Sequence, residues 1–166
     1  LNYSKGKFQT EKDLTSSDIN YVILRLGSVY GKSFDSTRLN IMANLFSKIT
    51  SLDGKINLYA GGEQLKSLVS VYDVARCMEF VGENQEISRE IFNCVSENLT
   101  VKEVANICKK INKDVELIST NDPVPNKGYG LSNKKITKEG FKFLYTLEKS
   151  IEEMIFSWQD KENFIG

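Results

Sequence analysis

The feature that most constrains the fold is a nearly continuous apolar run at residues 21–26, YVILRL, which Gly27 and Gly31 follow. Strands of a parallel sheet are covered on both faces, so they read as continuous apolar runs rather than alternating ones. The run therefore predicts a parallel strand that is buried on both faces. The two glycines predict a loop at its carboxyl end, which is where open α/β sheets place their ligands.

Helical and strand patterns alternate along the rest of the chain, which predicts an α/β fold. Capping signals, SVYD at 70–73 and TVKE at 100–103, mark the starts of two helices. We expect helices at 3–15, 38–49, from 71, from 101 and at 147–159, strands at 56–60, 68–71, 91–95 and 115–118, and a loop at 121–132. The expected apolar faces are Leu39, Met42, Leu45, Phe46 and Ile49 on the second helix, and Val74, Met78 and Val81 on the third.

Composition narrows the classes of partner. Twenty-two basic and 22 acidic residues cancel, so the charge predicts no general attraction to nucleic acid or to an anionic membrane. No apolar run approaches the length of a membrane span. Cys77, Cys94 and Cys108 are odd in number and lie in apolar segments, which is typical of buried thiols in a reducing compartment. We therefore expect a cytoplasmic protein.

Two absences from the sequence exclude whole classes of chemistry. The chain has no histidine, which excludes Ser-His-Asp and Cys-His catalysis and metal sites that need a histidine ligand. It also has neither G-x-G-x-x-G nor G-x-x-x-x-G-K-S/T, so the sequence predicts no phosphate-cradling loop of its own.

The clearest chemical pattern is Tyr3 and Lys7, four residues apart on a predicted helix. Residues at this spacing share one helix face. A lysine ammonium near a phenol favours the ionised phenol, which can then exchange protons near neutral pH. A solvated helix face is the competing interpretation of the same two residues.

Tyr3 and Lys7 form the catalytic signature of short-chain dehydrogenase/reductase enzymes, and five motifs in order resemble the extended branch of that family. Residues 1–14 are similar to its active-site helix, with Gly6 where Ser is usual. LRLGSVYG at 24–31 resembles L-R-x-x-N-V-Y-G. The longest match is GGEQLKSLVSVYDVA at 61–75, which is similar to G-x-G-x-Q-x-R-D-F-I-H-V-x-D-V-A. FN at 92–93, and GF at 140–141 before an amphipathic helix, match the closing pattern.

This resemblance to the nucleotide-sugar epimerase/dehydratase family implies a fold and a division of the chain. It implies the C-terminal part of a Rossmann-type enzyme with a small mixed α/β substrate-binding lobe, the N-terminal dinucleotide-binding half being absent. Residues 1–35 would be a remnant of the Rossmann core and 36–166 the substrate-binding lobe. The chain begins at Leu1 with its catalytic motif three residues in, which also favours a piece of a longer protein.

The resemblance also implies site residues. Tyr3 would be the acid/base that exchanges the sugar hydroxyl proton, and Lys7 would lower its pKa and hold the nicotinamide ribose of NAD or NADP. Beside the cofactor would lie Gly27, Ser28 and Val29. The nucleotide-sugar would be contacted by Ser28, Lys66 and Lys127. In the complete enzyme, hydride would pass between a sugar carbon and nicotinamide. The family also implies a possible homodimer through the Tyr3 helix.

Several residues depart from the family pattern or carry a structural interpretation. Lys66 stands where the family has Arg, and a point charge cannot grip a phosphate bidentately. Ser28 replaces Asn, Ser70 stands where His is frequent, and Lys127 is the only cation where a second Arg is usual. Asp73 is expected as a first-turn carboxylate, Arg25 as structurally paired, and Gly61-Gly62 as a turn.

Two alternatives to the enzyme remain open. The chain could be a non-catalytic binding or regulatory module that keeps the sugar-nucleotide cleft without the redox half. It could also be an inactive fragment. In either case the strand at 21–26 and the Tyr3 helix should expose apolar surface.

Overall fold

The computed structural model describes residues 2–33, 37–124 and 127–159. Several predicted features lie partly outside the described residues: Leu1 of the segment 1–14, residues 34–36 at the predicted division of the chain, Pro125 and Asn126 of the predicted loop, and residues 160–166 of the predicted lobe.

Helices and strands alternate along most of the described chain, as an α/β fold requires. The strands are β1 Val22–Leu26, β2 Ser28–Tyr30, β3 Lys55–Leu58, β4 Leu65–Ser70, β5 Glu90–Cys94, β6 Glu97–Thr100 and β7 Glu116–Ser119. The helices are α1 Asn2–Thr15, α2 Met42–Ser51, α3 Val71–Glu83, α4 Val101–Ile111, α5 Lys134–Lys138 and α6 Leu147–Gln159. A 3₁₀ turn covers Tyr59–Gly62.

The strands form three small sheets. β1 lies parallel to β5, β2 parallel to β4, and β3 parallel to β7, whereas β6 runs antiparallel to β4. The order β2-β4-β6 places β2 and β6 on opposite edges of β4. Strands from residues 1–35 therefore pair with strands from residues 36–166.

Two apolar clusters lie between the helices and the sheets. The first gathers α2, α4 and α6 around β3 and includes Ile56, Val104 and Ile151. The second lies between α3, β5 and the segment before α6. Leu68 packs in the first cluster and its neighbour Val69 in the second. Successive side chains of a strand point to opposite faces, so β4 is covered on both faces.

The two capped helices start where the sequence predicts. Ser70 Oγ accepts a hydrogen bond from the Tyr72 N–H at 3.3 Å. Thr100 and Glu103 form a complete capping box, because Thr100 Oγ1 accepts from the Glu103 N–H at 3.1 Å and Glu103 Oε2 accepts from the Thr100 N–H at 2.7 Å. The Thr100 N–H, and then the Thr100 hydroxyl, which donates to Glu103 Oε2 at 2.8 Å, lower the pKa of Glu103.

Asp73 is a buried structural anchor in the first turn of α3. Its two oxygens accept hydrogen bonds from the Leu144 N–H, both at 3.1 Å, and one also accepts from the Tyr145 N–H at 3.1 Å. Arg76 donates to the same carboxylate at 2.6 Å. The expected first-turn position is confirmed, and the carboxylate also ties the segment before α6 to the start of α3.

Arg25 pairs with Glu11 of α1, as expected from its structural interpretation. Its guanidinium donates through two nitrogens, with an Nε–Oε2 distance of 3.1 Å. The pair lowers the pKa of Glu11 and connects α1 to β1. α1 itself has no buried residue.

The strand at β1 is confirmed, but burial on both its faces is wrong. No residue of β1 is fully buried, and Leu26 is 39% exposed. β5 is its only partner strand among the described residues, so its other edge has no neighbour there. Tyr3 and Phe8 of α1 are also exposed, which confirms the expected apolar surface on both elements.

Two predicted helix faces need correction. On α2, Leu45 is exposed, while Ala43, Ser47 and Thr50 are buried. α2 packs against α6, and small side chains allow that close approach. On α3, Met78 is 53% exposed and Cys77 occupies the inner face instead.

The sequence also missed three short elements, β2, β6 and α5. The predicted loop at 27–31 contains β2, and residues 121–132, predicted as a loop, form no strand or helix where they are described.

All three cysteines are buried free thiols, as expected, and burial raises the pKa of Cys108 to about 11. No helix in the described ranges is long and apolar enough to cross a membrane.

Candidate functional site

A cleft lies at the carboxyl end of β1, where the sequence predicts a ligand site. Its volume is about 330 Å³. The lining residues come from the β1–β2 junction, from the first half of β4 and from residues 128–131: Leu26, Gly27, Ser28, Leu65, Lys66, Ser67, Gly128, Tyr129 and Leu131.

The cleft opens where β4 changes its neighbour along one edge. β2 pairs with the second half of β4, from Leu68 to Ser70. The first half pairs with the loop at 127–131, because the Leu65 N–H donates to the Lys127 carbonyl at 2.9 Å and Leu65 forms a parallel bridge with Gly128. β6 occupies the opposite edge of β4. The two neighbours of the shared edge thus form opposing walls.

Gly128 allows the loop to lie directly against β4. Its φ is +76°, in the left-handed region that favours glycine. A Cβ at this position would lie 1.9 Å from the Leu65 carbonyl oxygen, which is far inside any permitted contact. The loop predicted at 121–132 therefore contains a glycine that this wall of the site requires.

Side chains of β4 and β6 fasten the other end of this loop. The Asn98 carboxamide bonds both polar groups of the Leu131 backbone: Oδ1 accepts from the N–H at 3.0 Å and Nδ2 donates to the carbonyl at 3.0 Å. Ser67 Oγ accepts from the same Leu131 N–H at 2.9 Å and lies 2.7 Å from Asn98 Oδ1. We call Ser67 and Asn98 the loop latch.

Gly27 and Ser28 lie together in the cleft. A Cβ on Gly27 would come within 2.8 Å of the Ser67 carbonyl oxygen, so this glycine allows the β1–β2 junction to approach β4. Its N–H donates to the Cys94 carbonyl at 3.1 Å. Val29 does not line the cleft; it pairs with Val69 and packs on the second apolar cluster.

The two predicted cations lie on different segments, Lys66 on β4 and Lys127 on the loop at 127–131. Lys66 lines the cleft and is half-buried, and it makes no ion pair with a carboxylate in the described ranges. It alternates with Ser67, so the two side chains leave β4 on opposite faces. Lys127 is exposed immediately before the lining residue Gly128, and its backbone bonds Leu65.

Tyr3 and Lys7 lie on one face of α1, away from the residues that line this cleft. Tyr3 is 77% exposed, and the Lys7 Nζ lies 5.7 Å from the centre of its ring. This proximity agrees with the helical spacing. No residue of α1 contributes to the cleft among the described residues.

A larger depression lies near the start of β1 and contains none of the predicted site residues. Its volume is about 560 Å³, and no charged residue lines it.

Gly61 and Gly62 lie outside both depressions, with φ of +68° and +76° in the 3₁₀ turn, so both serve the turn. No cluster of three or more potential metal ligands occurs within the described ranges.

Sequence reasoning missed Ser67, Asn98 and Tyr129 as site residues. Ser67 stands where the related motif has an acidic residue, and Asn98 lies in a strand that the sequence did not predict. The only local signal was Gly128-Tyr129-Gly130, which predicts an irregular backbone but not the strand it lies against.

Comparison with known proteins supplies a family for this arrangement. A model of the NAD dependent epimerase/dehydratase family matches residues 2–94. The chain belongs to this family. The sequence matches none of the curated proteins it was compared with.

Solved structures of similar fold include three epimerases. UDP-glucose 4-epimerase from Thermotoga maritima, solved with UDP-glucose, is 19% identical, has a TM-score of 0.78, and the match covers 96% of this chain and 54% of that one. UDP-glucose 4-epimerase from Thermus thermophilus, solved with NAD, is 21% identical with a TM-score of 0.77, covering 96% and 53%. UDP-glucuronic acid 4-epimerase from Bacillus cereus, solved with UDP-glucuronic acid and NAD, is 18% identical with a TM-score of 0.76, covering 93% and 50%.

These likenesses confirm the mixed α/β, Rossmann-like fold of an epimerase. The chain spans about half the length of the solved structures it matches. At this level of identity the comparison concerns the fold alone.

The described residues do not by themselves fit a whole dinucleotide. In a Rossmann fold the pyrophosphate of the dinucleotide lies on a glycine-rich turn before a helix N-terminus. α3 and α4 follow their strands directly from Ser70 and Thr100, without such a turn. The space that a side chain would take at Gly27 is filled by the Ser67 carbonyl, so Gly27 is not a phosphate cradle.

Proposed function

We propose that this chain is the C-terminal, substrate-binding portion of an NAD(P)-dependent nucleotide-sugar epimerase, dehydratase or reductase. The observation that carries the proposal is the cleft at the end of β1, in a chain of the epimerase/dehydratase family, with Gly27, Ser28 and Lys66 brought together there from separate parts of the sequence. A volume of about 330 Å³ lies within the range of pockets that hold small molecules.

Lys66 and Lys127 are the proposed contacts to the diphosphate. Lys66 lines the cleft without a carboxylate partner in the described ranges, so its charge is available to an anion. Lys127 is exposed on the loop that pairs with the first half of β4. Each is a point charge, so the pair would hold phosphate oxygens without the planar grip of arginine.

Titration calorimetry with UDP-glucose and dTDP-glucose tests this binding role. A charge-assisted hydrogen bond contributes about 1.5–3 kcal/mol, so Lys66→Ala should weaken binding by roughly 10- to 100-fold. Lys113→Ala, which removes an exposed lysine outside the cleft, is the matched control and should bind like the unaltered protein. Equal affinity in both variants would remove Lys66 from the site.

Tyr3 is the proposed acid/base of the complete enzyme. Its hydroxyl would exchange a proton with a sugar hydroxyl, and Lys7, whose Nζ lies 5.7 Å from the centre of the Tyr3 ring, would lie beside it on the same helix face. Turnover by the complete protein should therefore be lost in Tyr3→Phe, while nucleotide-sugar binding persists. Turnover that survives this change contradicts the assignment.

The remaining elements of the proposal concern the complete protein. NAD or NADP would be bound mainly by residues outside this chain, with Tyr3, Lys7, Gly27, Ser28 and Val29 contributing at most the nicotinamide end. Residues 1–35 would belong to the Rossmann core and 36–166 to the substrate lobe. A cytoplasmic location and a possible homodimer through α1 complete the proposal.

A second candidate function is a nucleotide-sugar-binding or regulatory module without redox chemistry. The observation that favours it is the separation of the two parts: α1 carries Tyr3 and Lys7 but contributes nothing to the described cleft. Such a module would bind UDP-glucose and turn over none of it when NAD is supplied. Binding together with NAD-dependent turnover would exclude this candidate.

A further inference from the structure

We propose that Asn98 and Ser67 are positioning residues that set the affinity of the cleft by holding residues 127–131 against β4. The inference rests on the proposed function, because the ligand in question is the nucleotide-sugar. Neither side chain is assigned a contact with that ligand. Both act through the backbone of the loop that forms one wall.

The geometry of Asn98 points to this role. Its carboxamide makes the two hydrogen bonds that the backbone of a neighbouring strand would make, since it accepts from the Leu131 N–H and donates to the Leu131 carbonyl, both at 3.0 Å. Only a side chain with a donor and an acceptor side by side makes both bonds. Because Asn98 extends from β6, it spans β4 and reaches a segment on the opposite edge.

Ser67 completes the attachment. Its Oγ accepts from the Leu131 N–H at 2.9 Å and lies 3.3 Å from the Tyr129 carbonyl oxygen. Ser67 is 7% exposed, so water does not compete freely for these bonds. The latch therefore holds both sides of Gly130.

The wall held in this way carries the groups that a ligand would meet. Tyr129 lines the cleft with a ring that is 72% exposed, and Lys127 is exposed two residues earlier. At its other end the loop is held through the backbone of Leu65, whose N–H bonds the Lys127 carbonyl and which bridges Gly128. Loss of the latch would thus leave Tyr129 and Lys127 attached at one end.

The Lys127–Gly128 peptide bond provides a readout that needs no ligand. Trypsin cleaves after lysine, but the Lys127 carbonyl is bonded to Leu65 and Gly128 is pressed against the same residue. Cleavage there requires the loop to leave β4. Mass spectrometry can follow this bond and use the exposed Lys113–Asp114 bond as an internal reference.

The decisive variant is Asn98→Ala, with Asn106→Ala as a control that removes an exposed asparagine from α4 outside the cleft. Loss of two hydrogen bonds should make cleavage after Lys127 about tenfold faster and UDP-glucose binding about tenfold weaker. The melting temperature and cleavage after Lys113 should not change. Ser67→Ala should shift both readouts in the same direction by a smaller factor.

Unchanged cleavage and affinity in both Asn98→Ala and Ser67→Ala would overturn the proposal. If Asn98→Ala instead unfolds the protein, Asn98→Asp decides by the rate of cleavage after Lys127, because it keeps the shape and the acceptor for the Leu131 N–H while it loses the donor and adds a negative charge. Should that variant also unfold, Asn98 stabilises the fold and sets no affinity, so the proposal fails. Absence of UDP-glucose binding by the unaltered protein would refute the proposed function, and cleavage would then decide on the latch alone.

Discussion

The Asp73 anchor gives the sharpest prediction about stability. Asp73→Ala removes a fully buried carboxylate that accepts from two backbone N–H groups and from Arg76. A hydrogen bond to a charged group contributes about 1.5 kcal/mol. The Arg76 side chain is 34% exposed, so its ion pair adds only about 0.5 kcal/mol.

Together these contacts predict a loss of about 3.5 kcal/mol in the free energy of unfolding. For a domain of this size, 1 kcal/mol corresponds to roughly 2–4 °C, so the melting temperature should fall by about 7–14 °C. Thermal unfolding followed by circular dichroism measures the shift. The affected segment leads into α6, whose residues Leu147 and Ile151 are fully buried, so the loss should appear in the cooperative transition.

Two control variants separate the anchor from a general effect of charge. Asp114→Ala removes an exposed carboxylate from the turn before β7 and should leave the melting temperature nearly unchanged. Asp73→Asn keeps one acceptor and should lose about half as much stability as Asp73→Ala. A melting temperature for Asp73→Ala within 2–3 °C of the unaltered protein, a shift that about 1 kcal/mol would produce, would refute the reasoning.

Three further predictions concern the loop and the helix caps. Gly128→Ala should lower the free energy of unfolding by about 2–3 kcal/mol, because φ is +76° and the new Cβ meets the Leu65 carbonyl oxygen. Gly82→Ala on α3 is the control: nothing lies within 4 Å of its new Cβ, so it should raise that free energy by about 0.5–1 kcal/mol. Urea unfolding measures both changes. Thr100→Ala should lose about 1 kcal/mol by removing the cap of α4, measured in the same assay. The pKa of Glu103 is lowered in the folded protein, so its contribution is present above the usual value of 4.5 and is lost as pH falls below it; Glu103→Gln should flatten urea stability over that acid range.

Elements with strong local signals were predicted well from the sequence. The capping box at Thr100 and Glu103 begins α4, and the apolar period at the end of the chain gives α6. In both cases the pattern that marks the helix, a cap or an apolar repeat, recurs within four residues along the chain, so the sequence alone contains it. The first-turn position of Asp73 was also predicted from the local sequence. Its partners Leu144 and Tyr145 were not, because they are about 70 residues away and no local pattern indicates them.

Short strands were not predictable because tertiary pairing creates them. β6 is ENLT, a polar sequence with little strand preference, and it is a strand because it pairs with β4. β2 is three residues long and pairs with the same strand. When a strand is stabilised mainly by its partner, the apolar/polar alternation in its own sequence is too weak to predict it.

In the candidate site too, local motifs predict some of the residues, and strand pairing determines where they lie. Gly27, Ser28 and Lys66 were predicted from motifs, and the structure places all three at one cleft because β2 and β4 are paired. Val29, which was predicted beside the cofactor, does not line this cleft, because alternation along β2 turns its side chain to the second apolar cluster. Neighbours in a motif are therefore not neighbours in a site when the motif is a strand.

The site depends on a change of partner along one edge of β4. A single strand edge offers each backbone group to one neighbour only, so the edge must be divided between β2 and the loop at 127–131. Gly128 permits the loop to reach that edge, and Asn98 supplies from the far side the bonds that a full strand would have made. A cleft forms where one neighbour stops and the other begins. The position of the cleft is thus a consequence of backbone pairing, whereas its affinity depends on how firmly the shorter neighbour is held.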